Sequence, residues 1–180
     1  MKIVLQKLIG KNELVIRYPQ LSDAQAMCEY INQLSAEQTY IRFQGETMTQ
    51  EEEKSFLVSL LQKIDNKQAV QLLTFLNGQL IGNSGITLKD KIEAHEGIFG
   101  ISIASGFRGQ GIGRMLMASI LAEATKEMSD LKIISLGVFA NNEVAIKMYE
   151  KFGFSQYGRL PKGIRYQGDF VDHVYMFKEV

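Results

Sequence analysis

The chain has 180 residues, 46% apolar and 22% charged, and its 20 basic and 20 acidic side chains cancel. That length suits a single domain over residues 1–180 with a sizeable core, and the composition excludes a disordered chain. Zero net charge excludes the broad electropositive field that attracts nucleic acid or an anionic membrane.

Cys28 is the only cysteine, so an intrachain disulfide and any multi-cysteine metal cluster are excluded. Its neighbours mark it as a small buried hydrophobe on the first helix rather than a reactive thiol. The N-terminal apolar run is too short for a signal peptide, and no stretch approaches the roughly 18 apolar residues of a membrane span. A cytoplasmic protein is expected.

Lys2 to Leu8 and Glu13 to Arg17 read as two strands around the turn Gly10-Lys11-Asn12. Ser22 can cap a helix running to about Leu34, with Ala26, Met27, Tyr30 and Ile31 at helical spacing. Thr49 and Glu52 form a capping-box pattern for a second helix carrying Phe56, Leu57, Leu60, Leu61 and Ile64. The segment between these helices mixes aromatic and polar residues without a period. Ala69 to Leu76 and Gln79 to Leu88 flank Asn77-Gly78, the strongest short-range hairpin signal.

Gly97 to Ala104 forms a further strand leading into Arg108-Gly109-Gln110-Gly111-Ile112-Gly113, and a helix follows from Arg114 to Met128. A glycine turn feeding a helix start exposes unpaired N–H groups, which together with the helix dipole bind phosphate oxygens. The glycine spacing does not fit a dinucleotide fingerprint, because the third position is Arg114 or Leu116, and no Gly-Lys-Ser or Gly-Lys-Thr completes a triphosphatase loop. A strand from Leu131 to Phe139, a helix opening at Asn142, and strands over Phe154–Leu160 and Asp169–Phe177 complete the chain. Residues 161–168 read as the connector between the last two strands.

Arg108, Gly111 and Gly113, followed by Asn142, Ala145, Tyr149 and Gly153-Phe154, match in order and separation the two motifs of the GNAT superfamily of acyl-CoA-dependent N-acetyltransferases, which the chain resembles over about residues 96–160. The resemblance implies an α/β fold with a mixed, mostly antiparallel central sheet flanked by helices. It also implies a splay between the two strands around the acyl-CoA site. Acetyl-CoA would enter as co-substrate, without a metal. The cofactor-binding set would be Ile101, Ile103, Arg108, Gly109, Gln110, Gly111, Ile112, Gly113, Arg114, Asn142 and Lys147. The turn amides would hold the pyrophosphate, the strand backbone around Ile101 and Ile103 the pantetheine arm, and Asn142 that arm from the other side. Arg108 and Arg114 either add charge-assisted contacts or only decorate the helix end. Asn142 is also a natural helix N-cap.

Tyr149 would be the general acid that donates to the departing thiolate; by spacing alone it would be a core residue. Glu96 leads as general base, with Glu93 and His95 as competitors and a solvated turn as the plainer explanation. His173 beside Asp172 reads as a partly exposed strand histidine. The acceptor would be a small-molecule amine or a peptide N-terminus, attacked directly in a ternary complex. The connector between the first two helices either forms a wall of its pocket or simply spans them. The alternative is a catalytically silent CoA-binding module of the same fold. Two histidines and no matching helix spacing support neither a serine triad nor a metal site. An exposed late strand offers an edge for a homodimer.

Overall fold

The computed structural model describes residues 2–180. It divides into two compact units, Met1–Thr87 with Gly100–Ser129 and Leu88–Phe99 with Asp130–Val180. Eight strands hydrogen-bond in the order β1-β2-β3-β4-β5-β6-β8-β7. Strand β5 (Glu96–Ile103) contributes its first half to the second unit and its second half to the first.

In the first unit, β1 (Ile3–Ile9), β2 (Asn12–Arg17), β3 (Ala69–Leu76) and β4 (Gln79–Leu88) pair antiparallel in sequence. The turn between β3 and β4 places Asn77 at φ 48° and Gly78 at φ 83°. Positive φ at both central residues matches the twist of the flanking strands, which is why Asn-Gly favours a hairpin here. Helices α1 (Ala24–Ala36) and α2 (Gln50–Asp65) lie on one face. Met27, Tyr30, Leu34, Leu57 and Leu60 pack there against Leu73, Phe75 and Leu80. Helix α3 (Ile112–Glu127) packs against β3 with Leu116, Met117 and Ile120 fully buried. Ile103 approaches Gly113 of α3, whereas its neighbour Ser102 bonds Tyr30 of α1. Adjacent strand residues point to opposite faces, so α1 and α3 cover opposite sides of β5.

The second helix begins as expected: Thr49 and Glu52 bond reciprocally in a capping box. The first does not. Ser22 falls inside a single 3-10 turn, Leu21–Asp23, and α1 starts at Ala24. Tertiary contact decides this, because both Asp23 oxygens accept from Arg17 at 2.7 Å and one also accepts from Gln20 N. The same guanidinium lies 4.2 Å over the Phe75 ring. Cys28 is buried, and its thiol donates to Met48 O at 3.3 Å.

The second unit holds β6 (Ile133–Phe139), α4 (Glu143–Lys151), β7 (Ser155–Tyr166) and β8 (Asp169–Glu179). The parallel ladder of β5 with β6 covers only Glu96 to Ile98 against Ile133 to Ser135, and β6 pairs antiparallel with β8 over its whole length. Strand β7 runs on through the stretch expected to be a connector. It keeps pairing because Pro161 sits on an edge strand, where its missing N–H costs no ladder bond. The register shifts between Leu160 and Ile164. Asp172 secures that irregularity by accepting from Lys162 N at 2.9 Å and Arg159 Nε at 2.7 Å.

Arg17→Leu leaves the Asp23 carboxylate buried without its partner. Urea denaturation of this variant is expected to show a loss of about 3 kcal/mol, the usual cost of breaking one side of a buried pair.

Candidate active site

The glycine turn follows β5 in the first unit. Ala104 N donates to Ile81 O, a 3-10 turn covers Ser105–Phe107, and Gly111 at φ 79° caps α3 in the left-handed region. Gly109 is also left-handed, at φ 75°. An L side chain in that region costs roughly 1–2 kcal/mol, so the backbone path itself requires glycine. A Cβ at either position would meet nothing within 4 Å, so the surface above the turn is open.

No side chain caps α3, in contrast with Thr49 on α2 and Asn142 on α4. Its first-turn amides, at Ile112, Gly113 and Arg114, are the orphan donors of a helix start, and Met115 N closes the turn on Gly111 O. Ile112 is 1% exposed and anchors the helix in the core, while Gln110, Gly111 and Arg114 are exposed. This arrangement can hold an anion through backbone N–H groups and the positive end of a 16-residue helix.

Arg108 is occupied. Its Nε donates to Ile103 O at 2.7 Å, and its guanidinium pairs with Glu37 at 2.5 Å. The other Glu37 oxygen accepts from Ser105 N at 3.2 Å, so one carboxylate braces both sides of the 3-10 turn. Ile101 and Ile103 are half-buried. The connector after Glu37 is tied back to α1 by Asn32 and Ser35, which bond Met48, Glu46 and Gly45.

In the second unit, Asn142 caps α4 by accepting from Ala145 N at 3.3 Å, which leaves its amide N–H groups as donors. Lys147 is exposed and pairs with Glu143. Two turns after the cap, the Tyr149 ring is buried, edge-on to Phe99 at 6.0 Å and tilted against Phe154 at 6.0 Å. Burial pushes its phenol up to about 12. The hydroxyl has no hydrogen-bond partner among the described residues, and it keeps contact with solvent, because the sealed hydroxyl lacking a partner among them is that of Thr74.

Both Glu96 oxygens are engaged, one by Ser135 and the other by Lys89 Nζ at 2.8 Å. Burial alone would raise its pKa, but these bonds outweigh it and hold the carboxyl below the usual range. Glu93 pairs with the same lysine, and His95 is exposed. His173 packs against Gly137, where a Cβ would come within 2.2 Å of its ring, and against Tyr175 at 4.4 Å; burial lowers its pKa. Among the described residues no group of three or more His, Cys, Asp and Glu is placed to hold a metal, and no helix is long and apolar enough to cross a membrane.

A profile of the acetyltransferase (GNAT) family matches residues 29–154, most of the chain. The chain belongs to this family. An L-amino acid N-acetyltransferase of Escherichia coli K12 is 32% identical over 111 residues, and an N-alpha-acetyltransferase 60 of Xenopus tropicalis is 27% identical over 114. The matches cover 59% and 53% of this chain but only 65% and 47% of those relatives. A GNAT acetyltransferase structure from Streptococcus pneumoniae superposes with a TM-score of 0.84 at 27% identity, covering 93% of this chain and 99% of that one. RimL, a ribosomal L7/L12 alpha-N-protein acetyltransferase solved with coenzyme A, gives 0.80 over 99% and 98% of the two chains; at 15% identity it speaks to the fold alone. The mixed, mostly antiparallel eight-stranded sheet with flanking helices is therefore that of GNAT proteins.

Because folding lowers the Glu96 pKa, its ionised form adds stability above the ordinary carboxyl value of about 4.3, and this is lost as the pH falls through the folded value. Glu96→Gln should therefore lose less stability than the parent as the pH falls below about 5. An equal loss in both, read from urea midpoints, would remove Glu96 from the acid response.

Proposed function

We propose that this chain transfers an acetyl group from acetyl-CoA to a primary amine by direct attack. The observation that carries the reading is the Tyr149 hydroxyl. The other two well-buried tyrosines use their hydroxyls inside the protein, Tyr18 on Glu123 and Tyr30 on Ser102, whereas that of Tyr149 is left facing solvent. Tyr149 holds its donor free at a position that matches the family's acid.

The amine nitrogen attacks the thioester carbon, and the carbonyl electrons move to oxygen. An N–H of the β5 backbone near Ile101 to Ile103 stabilises that oxyanion. Collapse re-forms the carbonyl and breaks the C–S bond, so the sulfur leaves with the electron pair and the amine nitrogen loses its extra proton. Burial holds the Tyr149 phenol above the ordinary thiol value of about 8.5, so complete transfer of its proton to the thiolate is uphill. Tyr149 therefore acts by donating a hydrogen bond to the leaving sulfur, and the proton that neutralises the thiolate is the one the amine gives up. With both oxygens of Glu96 occupied, water serves as the carrier. The open glycine turn and uncapped α3 start suit the pyrophosphate, with Arg114 at the rim. Arg108 supports the turn from behind while it remains paired with Glu37.

Calorimetry of the parent protein should show saturable acetyl-CoA binding that is lost in Gly111→Glu, whose side chain fills the open turn with negative charge. No binding by the folded parent would sink the acetyltransferase reading. Tyr149→Phe preserves the ring packing and is expected to lower kcat about 100-fold at unchanged KM for acetyl-CoA. Unaltered kcat would point to a different donor. In the parent the rate should rise with pH as the amine deprotonates, with no loss from Tyr149 below about 12.

A further inference from the structure

The face of β4 and β5 opposite α3 carries a patch that the transfer chemistry does not use. Gln71 pairs with Gly85 and Leu73 with Asn83 across β3 and β4. The bond from Ala104 N to Ile81 O sets the antiparallel register of the next pair, which brings Gly100 beside Gly85 and Ser102 beside Asn83. Two rows thus cross three strands on one face.

The rows are uncharged, buried at their β3 ends (Gln71, Leu73) and open on β4 and β5. Gly100 is exposed, and a Cβ there would meet nothing within 4 Å; Asn83, Gly85 and Ser102 are half-buried. Gln71 is 8% exposed and lays its carboxamide across Gly85, where a Cβ would overlap Gln71 Oε1 at 2.0 Å; its Nε2 donates to Asn83 Oδ1. Tyr30, 4% exposed, bonds Ser102 Oγ at 3.0 Å from above. The charges acting on that hydroxyl are Arg108 and Glu37, which neutralise one another.

We propose that this floor recognises the acceptor, and that the acceptor is an α-amine next to a neutral amide, as in a peptide N-terminus or an amino-acid amide. The proposal rests on the acetyltransferase reading. The bare Gly100 lets an extended backbone approach closely, beside the Gln71 carboxamide that covers Gly85. Carboxamides and hydroxyls both donate and accept, so they complement an amide, which does the same. A second ammonium, as in a polyamine, finds no carboxylate in the floor, and a free α-carboxylate finds no cation, because Arg108 is held by Glu37. Either charge would be desolvated without a partner, which is unfavourable.

Three acceptors are compared at saturating acetyl-CoA: alaninamide, alanine and spermidine. Alaninamide is expected to exceed both others at least tenfold in kcat/KM, and a parent enzyme preferring spermidine or alanine overturns the proposal. In parallel, amide chemical shifts of Gly85, Gly100 and Ser102 are followed during titration with alaninamide, a readout that needs no turnover. Shifts at these residues without acetyl-CoA binding would retain the floor and reject the donor reading; acetyl-CoA binding with no such shifts would reject the floor alone. Gly100→Val should raise the KM for alaninamide about tenfold and leave calorimetric acetyl-CoA affinity unchanged, and Gly100→Ala gives a milder version if the valine variant folds poorly. Asn83→Asp is expected to move preference towards spermidine, and an unchanged ranking counts against the assignment.

Discussion

Burying a donor or acceptor without a partner costs roughly 1–3 kcal/mol, a large share of a domain's net stability. That constraint explains most of the polar contacts inside this protein. Arg17 and Asp23 satisfy each other where β2 leaves the sheet, and Lys2, Tyr18 and Glu123 do so at the far end of α3. Glu96, Ser135 and Lys89 form a third set beside the parallel ladder. Among the described residues the sealed side-chain exception is the Thr74 hydroxyl, while the Tyr149 hydroxyl and the uncapped start of α3 are left to solvent.

Strand alternation then divides the labour around β5. Ile103 turns towards α3 and helps seat the helix whose first amides are open, while Ser102 and Gly100 turn to the other side. Glycine serves two separate physical needs here. At Gly109 and Gly111 the backbone must be left-handed. At Gly85 and Gly100 the φ is ordinary and the gain is space, taken up at Gly85 by the Gln71 carboxamide.

Short-range chemistry was legible wherever both partners lie within a few residues. The Asn77-Gly78 hairpin, the Thr49 capping box and the Asn142 cap all formed as read. The Ser22 cap failed because Asp23 was recruited by Arg17, a strand residue whose guanidinium also stacks on Phe75 from another strand. Of the expected connector only Gln167-Gly168 turns, and residues 161–166 stay in β7 because edge position, which no local signal announces, permits Pro161 there. Arg108 illustrates the same limit, since its partner Glu37 lies 71 residues away.

The sequence by itself determined the order of elements, the glycine turn and the spacing of Asn142 and Tyr149, because each depends on backbone preferences and helical or strand periods that act locally. Tertiary structure decided which polar groups are already taken. Arg108 and Glu96 carry the right chemistry for the roles suggested by their positions, yet Arg108 is held by Glu37 from a distant segment, and Glu96 by the nearby Lys89 together with Ser135 of β6. The uncharged floor of Gln71, Asn83, Gly85, Gly100 and Ser102 exists only because three strands align in one register. Hydrogen bonding across a sheet brings together residues that no periodicity along the chain can associate.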